Sequence, residues 1–132
     1  MAYSDRRSRV LGCILLPLLG LAVVGVPILW LMGGPYTTTF PRQFEAKEWK
    51  AAKPSAYPDD DTRCGMVADL QLRIGVEGKT RKELIALMGE PEPVAYAPTR
   101  SYWLLCPSLI DIWVLDVRWD EGKAVEASVH DT

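Results

Sequence analysis

The chain has 132 residues, 48% of them hydrophobic, with 10 glycines and 10 prolines, which fits neither a collagen-like repeat nor a disordered composition. Its 15 basic and 17 acidic side chains leave a net charge of −2. Without a basic footprint to displace counterions, nucleic acid is excluded as the expected partner.

Apolar residues are concentrated near the N-terminus. Val10 to Met32 is a run of 23 residues without a charge. As a helix it would reach roughly 34 Å, enough for a hydrocarbon core of about 30 Å. Pro17 and Pro27 are tolerated in such spans, and Trp30 and Tyr36 stand where interfacial aromatics belong. Arg6, Arg7 and Arg9 precede the run against a single Asp5, which orients the N-terminus toward the cytoplasm. The expected organisation is a basic cytoplasmic N-terminus over residues 1–9 and a transmembrane helix over 10–34. A membrane-proximal tether over 35–58 and an α+β domain over 59–132 follow on the periplasmic side of the inner membrane. A cleaved signal peptide is the rival reading, but its apolar part is shorter and ends in a small-residue site, whereas LWLMGGPY offers none. Cys13 superficially suggests a lipidation box; there the apolar region precedes the cysteine, and here it follows.

Pro41, Pro54 and Pro58 interrupt the tether. Its Phe40, Phe44 and Trp49 are expected to pack on the domain or lie at the lipid surface, with a partner contact as the other possibility. Asp59, Asp60, Asp61 and Thr62 then form a helix start, where acidic side chains satisfy orphan amides and oppose the dipole. Met66, Val67, Leu70 and Ile74 follow at helical spacing. The three aspartates lack the alternation and glycine of a calcium loop.

Thr80 and Glu83 match a capping box. Leu84, Ile85, Leu87 and Met88 supply the buried stripe, while Gly89 and Pro91 stop the helix. A turn at Val76–Lys79 joins the two helices.

After Pro93 the period changes to two. Tyr102, Leu104 and Cys106 alternate with Ser101, Trp103 and Leu105. Trp113, Leu115, Val117 and Trp119 alternate with Ile112, Val114, Asp116 and Arg118. Beyond a turn at Asp120–Lys123, Val125, Ala127 and Val129 alternate with Glu126, Ser128 and His130. Such strands joined by short loops form an antiparallel meander. The fold class expected is α+β: one transmembrane helix, then a two-layer domain of two short helices on a three- or four-stranded antiparallel sheet. The face with Trp113, Leu115, Val117, Trp119, Val125 and Val129 should meet the helices. A half-apolar face is left for a partner, with Trp103, Ile112, Val114, Arg118 and His130 as its candidate residues.

These residues resemble a known family. Trp49, Arg63-x-x-Met66-x-x-Asp69-Leu70, the run Gly78 to Pro91, Tyr102 and the closing Trp119-Asp120-Glu121-Gly122-Lys123 are similar to SmpA/OmlA (BamE-like) domains over about residues 45–129. The resemblance implies a helix–helix–sheet fold, shared in outline with β-lactamase-inhibitor proteins, and life in a Gram-negative envelope. A membrane anchor stands here in place of that family's lipoprotein cysteine.

In an exported domain Cys64 and Cys106 are candidates for a disulfide. It would close a loop of about 43 residues, a contribution of roughly 4 kcal/mol by loop-closure entropy. Two separate small buried residues are the alternative. His130 is the only histidine, and no C-x-x-C, G-x-S-x-G or P-loop occurs. No catalytic, cofactor-binding or metal-ligating residue is assigned, and an enzyme is not expected. The expected function is a non-catalytic, inner-membrane-anchored periplasmic interaction or scaffold protein. Its partners would be an envelope protein and, through residues 10–34, the membrane. The alternative is an inhibitor or immunity-type protein that binds a periplasmic enzyme or toxin, with Tyr102 or Trp103 as a buried anchor.

Overall fold

Alternating strands and two capped helices assemble into one helix-on-sheet unit. The computed structural model describes residues 17–28, 34, 39–55, 59–93 and 97–132. Helix α1 (Ala46–Ala51) comes first in this unit, followed by α2 (Thr62–Asp69), a π-helical turn (Leu70–Ile74) and α3 (Arg81–Met88). Strands β1 (Arg100–Pro107), β2 (Ile112–Asp120) and β3 (Lys123–Asp131) then form an antiparallel sheet in the order β1-β2-β3.

Local chemistry explains the helix boundaries. Asp60 accepts from the Thr62 amide at 3.0 Å and from the Lys53 amide at 2.8 Å, so one carboxylate caps α2 and fastens the preceding loop. Gly75 donates to the Leu70 carbonyl at 2.8 Å, the wider ring of a π turn. That turn carries Leu70 into the core and leaves Leu72 outside. In α3 the Thr80 hydroxyl accepts from the Glu83 amide at 3.3 Å, and the Glu83 carboxylate accepts from the Thr80 amide at 2.7 Å. Gly89 ends the helix at a φ of 82°, a conformation open to glycine at little cost.

The core unites Trp49, Met66, Val67, Leu70, Leu84 and Met88 from the helical layer with Trp103, Leu105, Leu115 and Val117 from the sheet. The stretch expected as a tether therefore contributes α1 to this layer: Phe44 and Trp49 are buried in it, while Phe40 is 97% exposed. Their rings meet tilted, with centroids 5.5 Å apart. Val125 also departs from the expected inward face and is 40% exposed. The reason is a bulge: Trp119 pairs with Ala124 and Arg118 with Glu126, so Val125 is the extra residue and Ala124 takes the inner position.

The expected fold class is corrected at its N-terminal end. Helix is described over residues 17–28, twelve residues, or roughly 18 Å at the helical rise. Among the described residues no helix is long and apolar enough to cross a membrane, so the spanning helix expected over 10–34 is not found. Pro17 stands at the first described position of this helix and Pro27 in its last described turn, where it lacks the amide that would donate to the preceding turn. The remainder of 10–34, apart from Gly34, lies outside the described residues.

Candidate partner-binding face

Strand register gathers the polar residues on the face turned away from the helices. Three cross-strand rows lie there: Arg100–Arg118–Glu126, Tyr102–Asp116–Ser128 and Leu104–Val114–His130. Asp116 is the centre. Its side chain is buried, yet among the described residues it is Arg100 and His130, not a helix, that lie against it. The Arg100 guanidinium lies 3.1 Å from Asp116 Oδ2, and His130 Nε2 lies 3.5 Å from the same oxygen. Among the described residues Asp116 Oδ1 is buried without a hydrogen-bond partner. Such a carboxylate is costly, because burial strips hydration that one-sided pairing does not replace.

Around that centre the Tyr102 ring meets the His130 ring edge-on, with centroids 6.4 Å apart. Arg118 pairs with Glu126 at 2.9 Å in the neighbouring row. The face thus offers an apolar floor at Val114 and Ile112, an aromatic at Tyr102, and charged groups that can re-pair with an incoming surface.

Of the residues predicted for this face, Ile112, Val114, Arg118 and His130 lie on it. Ile112 is half-buried, Val114 is buried at its base, and Arg118 and His130 are exposed. Trp103 lies on the opposite face. It pairs with Leu115, is 1% exposed, and donates its indole N–H to the Gly89 carbonyl at 3.0 Å. The same parity that puts Tyr102 outward sends Trp103 under the helices, where its ring fills the core. Arg100 was missed by sequence reasoning, and so was the central role of Asp116. Charged residues at alternating positions of two strands were the only available signal, because register is not written locally.

Cys64 and Cys106 are joined by a disulfide, with Cα atoms 5.8 Å apart. The bond ties the first turns of α2 to the end of β1, beside a bulge between Leu104 and Cys106. Arg63, next to it, donates to the Trp49 carbonyl at 2.9 Å and to the Leu104 carbonyl at 2.8 Å. Burial pushes its guanidinium below the usual value, against the opposing pull of Glu92 and Asp60. Among the described residues no group of three or more His, Cys, Asp or Glu is placed to hold a metal ion.

Fold and face together define a disulfide-closed α+β domain with one helix-covered and one open sheet face. No family model matches the chain, and neither does any curated protein or solved structure; nothing among them identifies an SmpA/OmlA family.

Proposed function

We propose that this chain is a non-catalytic interaction module of the Gram-negative cell envelope, with its domain in the periplasm and an envelope protein as its partner. The observation that carries the reading is the open sheet face, where Arg118 and His130 are exposed around a buried Asp116 whose Oδ1 lacks a partner. A donor from a docking protein would satisfy that oxygen once His130 moves aside, turning an unfavourable free-state feature into binding energy. The periplasmic reading is supported by the Cys64–Cys106 bond, which persists in oxidising compartments. The inhibitor-type alternative keeps Tyr102 as an anchor and loses Trp103, which is committed to the core.

An alkaline phosphatase fusion at Thr132 tests the compartment and should be active in cells. Photo-crosslinkers placed at Arg118 and Tyr102 should capture one envelope protein, while the same group at Lys82 on α3 captures none. An inactive fusion, or equal capture from the two sides of the domain, overturns the proposal.

A further inference from the structure

The two edges of the sheet are treated differently. On β1, the outward carbonyl of Tyr102 accepts from the Glu92 amide at 2.8 Å, and that of Leu104 accepts from Arg63 at 2.8 Å. Both outward carbonyls of this edge are therefore occupied. Because Tyr102 turns its backbone groups outward, its neighbour Asp116 directs its own toward Ser128, and Ala127 and Val129 on β3 must then point away from the sheet. At the start of β3, Ala124 bonds to Gly78 at 2.7 Å and to Lys79 at 2.9 Å. Further along, the Ala127 carbonyl has only the Gln71 side chain at 3.5 Å. The Ala127 amide and both backbone groups of Val129 meet no partner among the described residues. An open strand edge is a template for another strand.

We infer that this edge pairs with the same edge of a second copy of the chain, antiparallel and centred on Ser128. The sequence of β3 is complementary to itself in that register. Ala127 faces Val129 of the second copy, and each such pair can exchange both backbone hydrogen bonds. Glu126 faces His130 on the outer side, an acid against an imidazole, and the two-fold axis repeats each contact. On the inner side a cavity of about 270 Å³, lined by Gln71, Gly75, Val76, Glu77 and Ala127, lies where the incoming Val129 side chain projects. The neighbouring register, centred on Val129, would aim Asp131 at that cavity beside Glu77; like charge disfavours it. The interface runs along the β3 margin of the open sheet face, to which Glu126 and His130 belong; its main-chain pairing through Ala127 and Val129 does not depend on what the rest of that face binds.

Ser128 would meet its own copy as a non-hydrogen-bonded pair, with Cα atoms about 4.5 Å apart, within disulfide reach. The test uses the full chain in mild detergent with Cys13→Ser, comparing Ser128→Cys with Lys82→Cys under mild oxidation. Ser128→Cys should give a covalent dimer rapidly, and Lys82→Cys should not. His130→Glu, which sets two acids opposite each other at two symmetric places, should weaken the dimer about tenfold in sedimentation. Equal crosslinking at the two positions, crosslinking of Ser128→Cys to a different protein, or no effect of His130→Glu overturns the inference.

Discussion

The Arg63 guanidinium donates to the main-chain carbonyl of Trp49 at 2.9 Å and lies 5.4 Å from the centre of the same residue's ring. Its second hydrogen bond reaches the Leu104 carbonyl, so one side chain joins α1, α2 and β1. Bonds from a charged donor to buried carbonyls are among the stronger ones. Arg63→Ala should therefore cost about 2–4 kcal/mol in urea unfolding, against less than about 0.5 kcal/mol for Arg42→Ala, whose pair with Glu48 is exposed. Arg63→Lys should recover only part of the loss, since an ammonium cannot reproduce the planar fork. Equal effects of the two alanine variants would refute this role.

Removal of the Cys64–Cys106 bond frees a long loop in the unfolded chain. Cys64→Ala with Cys106→Ala should lower stability by about 4 kcal/mol on loop-closure entropy, measured as a fall in the urea midpoint. Reductant should destabilise the native protein and leave the double variant unchanged.

Thr80→Ala breaks one half of the capping box at α3 and should cost about 1 kcal/mol. Glu83→Gln keeps the shape and weakens the charge-assisted half, so its cost should be smaller. A midpoint unchanged by Thr80→Ala would mean that packing of Leu84 and Met88 alone holds the helix.

Acid dependence follows from three carboxylates. The Lys53 amide and Thr62 hold Asp60 below its usual range, Arg73 and the Phe44 amide do so for Asp69, and Thr80 for Glu83. A carboxylate whose folded value is depressed binds its proton more readily in the unfolded chain. Its contribution is complete above the unfolded value of about 4 and disappears as pH falls through the lower folded value. The urea midpoint should be flat from pH 7 to about 5 on account of these groups and decline below about 4. Asp60→Asn should reduce the slope of that decline; an unaltered slope would exclude Asp60 as a contributor.

At the centre of the open face, Asp116→Val removes a buried charge with an unpartnered oxygen. Arg100, the partner left behind, is 40% exposed and can hydrate, while the burial cost of the carboxylate is removed, so folding should be retained. Capture of the proposed envelope partner should be lost in the same variant. A large loss of stability would place Asp116 among the structural supports of the sheet instead.

The legible parts of the chain were those whose signals are local. Thr80, Glu83 and Gly89 mark α3 because a cap and a stop act within a few residues. The alternation in β1 and β2 fixed which side chains share a face, yet the bulge at Arg118/Trp119 reversed Val125 without a mark in the pattern. Trp49 was legible only as packing on the domain or lying at the lipid surface, not as a helical core position: α1 is only six residues long, too short for periodicity, and is held by contacts with distant α2 and α3. Asp116 becomes central only through partners on two other strands, which periodicity cannot locate. The apolar N-terminal run was read from its length, its lack of charge and its basic flank, none of which fixes how long a helix forms within it.

The sealing of β1 by Glu92 and Arg63 sets a limit on growth. A ribbon with one closed margin can be lengthened sideways once, after which both outer borders of the joined pair are capped. Assembly through the remaining margin, as proposed, would therefore favour two subunits over open-ended fibres.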